Sequence, residues 1–318
     1  MTQSNPDAPQ PSSNAPHAPV LTAEVLDALN PQPGETYIDL TVGAGGHCSL
    51  VAERIGETGH IIAFDRDDTA IAVARERLKS FQTPIRFIHS PFDALPGLVE
   101  SGVVPKADIV LADFGVSSMM LDIEQRGFSF RTDAPLDMRM DLTTGLTAAD
   151  WLNSESETDI ANAIFQNADE RFSRRIARRI VEERRITPIQ TTGQLAAIVE
   201  SAYPYQARKH LRIHPATRTF QAIRIVINDE LGQIERLLSS IDVFLNPGGR
   251  FACISFHSLE DRLVKNTFKN LHKTGRYTLW TRKPVRASDD ETSANPRARS
   301  ALLRAIACIP AQPKMRRR

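Results

Sequence analysis

Short apolar runs rich in branched residues recur along this chain, and stretches with helical periodicity lie between them. Seven of these runs are predicted as strands, at residues 37–40, 61–64, 85–88, 109–112, 250–256, 277–281 and 301–309. A helical pattern at residues 49–55 follows the first run. Strands that alternate with helices predict an α/β fold, with a parallel sheet covered on both faces.

The interval between the fourth and fifth predicted strands is long. It spans about 135 residues, far more than one crossover helix requires. Helix formers and N-cap candidates predict helices at 147–152, 157–166, 169–185 and 192–201. A longer run, 217–244, is predicted as the crossover helix, ended by the Asn-Pro-Gly-Gly stop signal at 246–249. We therefore expect an inserted helical subdomain at 134–213, between two parts of the sheet domain at 17–133 and 214–318.

Composition limits the class of protein. The 318 residues suffice for one large or two ordinary domains, and the net charge of +1 argues against a general polyanion binder. No apolar run approaches the roughly 18 residues that a membrane span needs. Residues 1–16 are predicted as a disordered, Pro-rich tail. Cys48, Cys253 and Cys308 lack metal-ligand spacing and fit a reducing compartment, so we expect a cytoplasmic protein without a metal.

A glycine-rich turn follows the first predicted strand. Gly43, Gly45 and Gly46 occupy three of four positions, and Asp65 ends the second strand 65 − 45 = 20 residues after Gly45. This layout is typical of a nucleotide-type site at the carboxyl ends of two neighbouring parallel strands, where the acid accepts hydrogen bonds from ribose hydroxyls. The alternative is a glycine turn that binds no adenosine ligand.

Two further residues indicate which nucleotide is bound. A dinucleotide fingerprint would have a small residue, normally glycine, where this chain has Cys48. Asp39 at the strand end would repel a pyrophosphate, whereas it suits a cationic ligand with an amino group. The loop therefore favours S-adenosylmethionine, which carries a sulfonium and no phosphate.

Arginines crowd one side of the predicted helix at 169–185. At about 100° per residue, they fall opposite an apolar face that holds Phe172, Ile176 and Ile180; they are Arg171, Arg174, Arg175, Arg178 and Arg179. This pattern favours an anionic partner, because arginine neutralises backbone phosphates. A merely solvated face, partly neutralised by neighbouring glutamates, stays open as the alternative.

Six motifs in the same order give a resemblance to a known family. They are ADFGVSS at 112–118, RGFSF at 126–130, PLDMRMD at 135–141, HPATRTFQA at 214–222, SFHSLEDR at 255–262 and NPRARS at 295–300. From His17 to about Arg304, the chain closely resembles the bacterial 16S rRNA (cytidine-N4)-methyltransferase family called RsmH or MraW.

The resemblance implies both a fold and an activity. The fold would be a Rossmann-like, class I S-adenosylmethionine-dependent methyltransferase with an inserted all-helical subdomain for substrate recognition. The activity would be methyl transfer from S-adenosylmethionine to the exocyclic N4 of a decoding-centre (P-site) cytidine of 16S rRNA in the small ribosomal subunit. Two alternatives stay open: an amino-methyltransferase acting on another nucleic acid, and a non-catalytic ribosome-assembly factor. Oligomeric state is also open, a homodimer included.

The resemblance also implies site residues. The family's cofactor contacts fall on Gly45, Gly46, His47, Asp65, Phe92, Asp113 and Met120. The family usually has glutamine where this chain has Met120, so a polar side-chain contact is not expected there.

Chemistry selects Asp113 as the candidate catalytic residue. The N4 lone pair of cytidine is delocalised, and an acceptor for the amine protons helps the nitrogen to pyramidalise. The alternative is that Asp113 only binds the cofactor or caps the next helix. Phe114, Phe128 and Phe130 are candidates to stack on an extruded base, although the last two fit a core equally well. Candidate RNA contacts are Arg139, Arg174, Arg178, Arg218 and His257, the last with a structural histidine as its alternative.

Overall fold

The computed structural model describes residues 19–209, 211 and 213–310. The predicted tail at 1–16 and the basic end at 314–318 lie outside the described residues. The strands of the described part are β1 Thr36–Asp39, β2 His60–Asp65, β3 Ile85–His89, β4 Ala107–Asp113, β5 Leu245–Ser255, β6 Tyr277–Leu279, β7 Val285–Arg286 and β8 Leu302–Cys308. The helices are α1 Thr22–Leu29, α2 Gly46–Ile55, α3 Asp68–Leu78, α4 Leu95–Glu100, α5 Ser118–Asp122, α6 Ala148–Ser154, α7 Glu157–Ala168, α8 Ser173–Arg184, α9 Thr192–Ala202, α10 Tyr205–Arg208, α11 Ala216–Ile227, α12 Glu230–Ser239, α13 Ile241–Phe244, α14 Ser258–Lys273 and α15 Asp289–Ala294.

The strands form one sheet in the order β3-β2-β1-β4-β5-β8-β6, with β7 paired to β8. The first five strands run parallel, and β8 is antiparallel to both β5 and β6. The order reverses between β1 and β4, which creates a crevice at the carboxyl ends of these strands. The α/β prediction with a Rossmann-like, parallel-dominated sheet is therefore confirmed.

Side chains of the central strands alternate between two hydrophobic cores. Tyr37 and Ile61 pack with α1 and α2 on one face, whereas Ile38 and Ile62 pack with α12 and α13 on the other. Because helices cover both faces, the strands contain nearly continuous apolar runs rather than a polar–apolar alternation. All seven predicted strands are present, and of the strands in the described residues only the two-residue β7 was missed.

A third hydrophobic core lies among the helices that follow β4. Its members run from Leu136 to Ile223 and include Ile176 and Ile180 of α8. The opposite side of α8 exposes arginines, as the periodicity of residues 169–185 predicts. This core extends beyond residue 213 to Phe220 and Ile223 of α11. The division at 134–213 itself stays a prediction.

The prediction of one crossover helix at 217–244 is wrong, because α11, α12 and α13 replace it. The first of these helices ends at Ile227, and Asp229 then adopts a left-handed backbone conformation with φ 47°. The buried amide of Asn228 explains the break. It donates to the Met138 carbonyl at 2.8 Å and accepts from the Met140 N–H at 2.7 Å. These bonds tie the break to a distant loop, which local helix propensity cannot anticipate.

Two boundaries also differ from the predictions. The helix expected at 169–185 begins at Ser173, because Asp169 is left-handed (φ 48°) and ends α7. Residues 246–249 were expected to separate a helix from a strand, but they belong to β5, whose pairing with β4 shifts register between Ala107 and Ile109. Within the described residues, no helix combines the length and the apolar character that a bilayer span requires.

Candidate active site

A cavity of about 480 Å³ opens at the carboxyl ends of the central strands, where the strand order reverses. Six of the seven residues predicted to contact the cofactor line it: Gly46, His47, Asp65, Phe92, Asp113 and Met120. Gly45 is not among the lining residues. Its φ is +78°, and a Cβ there would lie 3.3 Å from Cδ1 of Leu78, so Gly45 serves the turn and its packing against α3.

Asp65 anchors the glycine loop. Its Oδ2 accepts from the Gly43 N–H and its Oδ1 from the Asp67 N–H, each at 2.9 Å. Burial raises the pKa of Asp65 to about 6, against the effect of these hydrogen bonds. The side chain is therefore mostly ionised at neutral pH. Each carboxylate oxygen keeps a further lone pair, which leaves Asp65 able to accept from ligand hydroxyls in the cavity.

Asp39 lies beneath the cavity rather than in its lining. The Tyr37 hydroxyl donates to Oδ2 at 2.9 Å and the Thr41 N–H to Oδ1 at 3.1 Å. Burial raises the pKa of Asp39 to about 7. The interpretation that Asp39 favours a cationic ligand stays a prediction, and Asp39 is not among the residues that line the cavity. Its influence on the cavity is electrostatic.

Asp113 ends β4 and faces the cavity. Its backbone N–H donates to Oγ1 of Thr41 at 2.7 Å, while its buried Oδ1 has no hydrogen-bond partner among the described residues. Burial, followed by the negative charges of Asp39 and Glu260, raises the pKa of Asp113 to about 8. The alternative that Asp113 caps the next helix is wrong, because Ser117 is the N-cap of α5 and accepts from the Met120 N–H at 3.2 Å.

His47 adds a neutral imidazole beside Asp113. Its Nε2 lies 4.0 Å from Oδ2 of Asp113 and has no hydrogen-bond partner in the described part of the chain. Burial lowers the pKa of His47 to about 4, so the ring is uncharged at neutral pH. Asp113 Oδ1 and His47 Nε2 are thus among the unsatisfied polar atoms of the residues that line the cavity, and a bound ligand could satisfy them.

Aromatic side chains line two parts of the cavity wall. Phe92 and Phe114 meet with ring centroids 5.6 Å apart. On another side, Phe130 packs edge-on against Phe220 at 4.8 Å, and Phe128 lies nearby in the lining. Phe128 and Phe130 are also partly buried against the third core, as the core alternative expected, and their stacking on an extruded base stays a prediction.

Four polar side chains line another part of the same cavity, and we call them the acceptor cluster. They are Arg224, Glu230, His257 and Glu260. Arg224 donates to both carboxylate oxygens of Glu230, at 2.7 and 2.8 Å. Glu260 is fully buried, and its Oε2 accepts from the Phe256 and His257 N–H groups. Sequence reasoning named only His257. Of the other three, Glu260 has a local signal in the spacing His257-x-x-Glu260, a capping pattern that is usually structural, whereas Arg224 and Glu230 have none.

His257 has a structural role, as its alternative interpretation expected. It is the N-cap of α14, and its Nδ1 accepts from the Glu260 N–H at 3.5 Å. A neutral ring with Nδ1 as acceptor carries its proton on Nε2, which lies 3.2 Å from Oε1 of Glu260. Although burial alone would raise the pKa of Glu260, His257 and then Arg224 bring it below its usual value. Glu260 is therefore ionised.

The predicted RNA-contacting arginines lie away from this cavity. Arg139 is held by Asp137 through two hydrogen bonds of 2.8 Å. Arg174 and Arg178 are exposed on α8, and Arg178 is 3.9 Å from Glu157. Arg218 lines a second cavity, 4.0 Å from the buried Glu170 carboxylate. Their contact with RNA stays a prediction.

Comparison with known proteins places the chain in a family. The model of the MraW methylase family matches residues 14–309. The chain is 48% identical over 296 residues to a protein of Acidobacterium capsulatum named ribosomal RNA small subunit methyltransferase H, covering 91% of this chain and 97% of that protein. A protein of the same name from Symbiobacterium thermophilum is 47% identical over 305 residues, with 91% and 96% covered. This chain belongs to the MraW methylase family.

Proposed function

We propose that this protein transfers a methyl group from S-adenosylmethionine to the exocyclic N4 of a decoding-centre cytidine in 16S rRNA of the small ribosomal subunit. One observation carries the chemistry: the unpartnered Oδ1 of Asp113 points into the same cavity as the glycine loop and Asp65. The names of the relatives supply the substrate class, small-subunit ribosomal RNA. A ribosomal substrate would place the reaction in the cytoplasm.

The cavity lining fits a cationic adenosine ligand. Asp65 and Asp113 line it, and Asp39 adds a third acid beneath it, so acidic side chains that a bound cation would ionise surround the glycine loop. Such a site stabilises a sulfonium or an ammonium group and repels a pyrophosphate. Asp65 would hold the ribose hydroxyls and Phe92 the adenine, while the loop at 43–47 would lie along the amino acid end. The bound cofactor would supply an activated methyl group.

Asp113 is proposed to assist the attacking amine. Its Oδ1 would accept a hydrogen bond from an N4 proton, which helps the nitrogen to pyramidalise; such positioned bases contribute about 10²–10⁴-fold to a rate. The free enzyme holds Asp113 largely protonated at neutral pH, because its pKa is about 8. A cationic ligand beside the carboxyl favours the ionised form and lowers this pKa, which prepares the base when the cofactor binds.

The helices at 134–213 are proposed as the substrate-recognition subdomain. Exposed arginines of α8 suit RNA phosphates, and one face of α11 brings Thr217, Phe220 and Gln221 to the cavity wall. This arrangement joins an RNA-facing surface to the proposed reaction centre through a single packed core. Phe130 and Phe220 would then flank the extruded base.

A methyl-incorporation assay tests this function. Purified small subunits from a strain deleted for this gene would be incubated with the protein and labelled cofactor, and the rRNA nucleosides analysed by mass spectrometry. We expect label in N4-methylcytidine only, lost with Asp113→Asn and kept with Asp27→Asn, an exposed acid on α1. Label in another nucleoside would support a different amino-methyltransferase. No label with any subunit or RNA would leave the assembly-factor alternative.

A further inference from the structure

Glu260 carries an unused hydrogen-bonding atom at the reaction centre. Its side chain is 0% exposed, and Oε2 satisfies two backbone N–H groups, but Oε1 makes no hydrogen bond within the described residues. His257 Nε2 lies 3.2 Å from Oε1, without the alignment of a hydrogen bond, and helps to keep Glu260 ionised. Because a carboxylate oxygen can accept more than one hydrogen bond, Oε1 keeps capacity for a ligand donor.

The position of this oxygen relates it to Asp113. A Cβ on Gly115, two residues after Asp113, would lie 3.9 Å from Oε1 of Glu260. The negative charge of Glu260 is also one cause of the raised pKa of Asp113, so the two carboxylates interact. Oδ1 of Asp113 and Oε1 of Glu260 each have acceptor capacity left, and both residues line one cavity.

We propose that Glu260 is the second acceptor for the methyl-acceptor amine: Oε1 of Glu260 binds one N–H of the amine, and Oδ1 of Asp113 binds the other. This inference rests on the proposed function and extends it to substrate class. A primary exocyclic amine has two protons to donate, and the site offers two acceptors. A carbonyl at the same position, as in uracil, has none and would meet two carboxylates instead.

The two carboxylates divide the chemistry. The lone pair of the substrate nitrogen forms a bond to the methyl carbon of the cofactor. The bond between that carbon and the sulfonium sulfur breaks, and its electron pair stays on sulfur. The nitrogen then loses a proton to Asp113, whose raised pKa makes it the stronger base. Glu260, with a lowered pKa, stays ionised and keeps its hydrogen bond to the remaining N–H. Opposite pKa shifts in neighbouring acids are a recurrent way to separate two such roles.

A metal ion is the competing occupant, because ligand atoms of Glu230, His257 and Glu260 all lie within 4.8 Å of one another. Two contacts favour the amine. Arg224 donates to both oxygens of Glu230, and the guanidinium charge disfavours a cation beside it. The Nδ1 of His257 accepts from a backbone N–H, so Nε2 carries a proton and cannot coordinate a metal.

The test uses Glu260→Gln, which keeps an oxygen for the two backbone N–H groups and removes the charge. Asp27→Asn is the control, since Asp27 is an exposed acid on α1, outside the helices proposed to recognise the substrate. Single-turnover methylation of unmodified small subunits would be measured from pH 5 to 9 at saturating cofactor. We expect the Glu260→Gln rate to fall about 10²-fold, with unchanged cofactor affinity by calorimetry.

The pH profile separates a substrate contact from a structural role. Groups facing Asp113 are Asp39 on β1, His47 on α2 and Glu260 on α14, and those facing Glu260 also include Arg224 and Glu230. Removing the Glu260 charge should lower the pKa of Asp113, so the acidic limb of the residual rate moves to lower pH. Glu260→Asp, which keeps the charge, should lose rate without this displacement, and it serves as the readout if Glu260→Gln does not fold.

Three results would overturn the inference while wild-type enzyme remains active. The first is a wild-type rate and pH profile for Glu260→Gln. The second is a rate loss in Glu260→Gln no larger than that of Asp27→Asn. The third is a wild-type rate that chelation abolishes and a divalent metal restores. Inactive wild-type enzyme would instead refute the proposed function.

Discussion

Replacing Asp113 by asparagine should stabilise the ligand-free protein at alkaline pH. Burial, Asp39 and Glu260 raise the pKa of Asp113 from 3.8 to about 8. The unfolded chain therefore releases this proton at lower pH than the folded protein does. The stability that Asp113 contributes is complete below pH 3.8 and is lost progressively as the pH rises to about 8. Asparagine has no carboxyl proton to lose, so the variant does not undergo this loss of stability as the pH rises.

The size of the effect follows from the two pKa values. For one carboxyl whose pKa changes from 3.8 to about 8, linkage gives ~2–3 kcal/mol of unfolding free energy lost between pH 6 and pH 9. Asp39 and Asp65 also have raised pKa values, but they are present in both proteins and largely cancel in the comparison. The Asp113→Asn protein should thus gain stability relative to wild type over this interval.

Urea denaturation of both proteins at pH 6 and pH 9, followed by circular dichroism, measures this difference. The relative gain of Asp113→Asn should increase by ~2–3 kcal/mol from the lower to the higher pH, with equal m-values. Asp27→Asn, at an exposed position, serves as the control and should show no pH-dependent gain. A stability difference between wild type and Asp113→Asn that does not change with pH would refute the raised pKa, and with it the assignment of Asp113 as a base poised near neutrality.

Two further predictions address the cofactor and the RNA. Asp65→Asn should weaken S-adenosylmethionine binding by about 10–100-fold, because the variant cannot make charge-assisted hydrogen bonds to the ribose. Calorimetry at pH 8 measures this loss of affinity. The affinity of the wild-type protein should itself decrease below pH 6, where Asp65 becomes protonated. An unaltered dissociation constant would contradict the ribose role. Changing the α8 arginines 174, 175, 178 and 179 to glutamine should reduce the salt dependence of small-subunit binding, by about 0.7–0.9 in the log–log slope for each phosphate that is no longer neutralised. The comparison variant changes three exposed lysines of α14 to glutamine, Lys265, Lys269 and Lys273. Equal slopes for the two variants would support the alternative that the arginine side of α8 is merely solvated.

The sheet was predictable because its central strands are buried on both faces. Continuous apolar runs such as the one through Ile109 and Val110 are short and rich in branched residues, and these two properties favour a strand over a buried helix. The glycine loop was equally readable, since Gly43 and Gly45 both adopt positive φ. These features depend on local sequence, and local sequence was sufficient to place them.

The helix break at Asn228 shows what local patterns miss. Residues 217–244 are mostly helix formers, and the weak formers Asn228, Asp229 and Gly232 do not by themselves end a helix. The buried hydrogen bonds of Asn228 to Met138 and Met140 show why the chain turns there. The turn has a consequence for the site, because Glu230 starts α12 and meets Arg224 of α11 in the cavity wall. The acceptor cluster is thus assembled from tertiary contacts, which periodicity cannot reveal.

Three acidic side chains lie close together where the strand order reverses, and they connect the stability of the protein to ligand binding. Asp39, Asp65 and Asp113 all have pKa values raised chiefly by burial, so the ligand-free site holds carboxyls in an environment that disfavours their charge. A fold selected for stability alone would place apolar side chains there. A cationic ligand reverses the balance, because each ionised carboxylate then gains an opposite charge in a region of low dielectric. The arrangement that weakens the empty protein is therefore the one that favours a sulfonium ligand, and a bound sulfonium would leave Asp113 ionised for the proposed reaction.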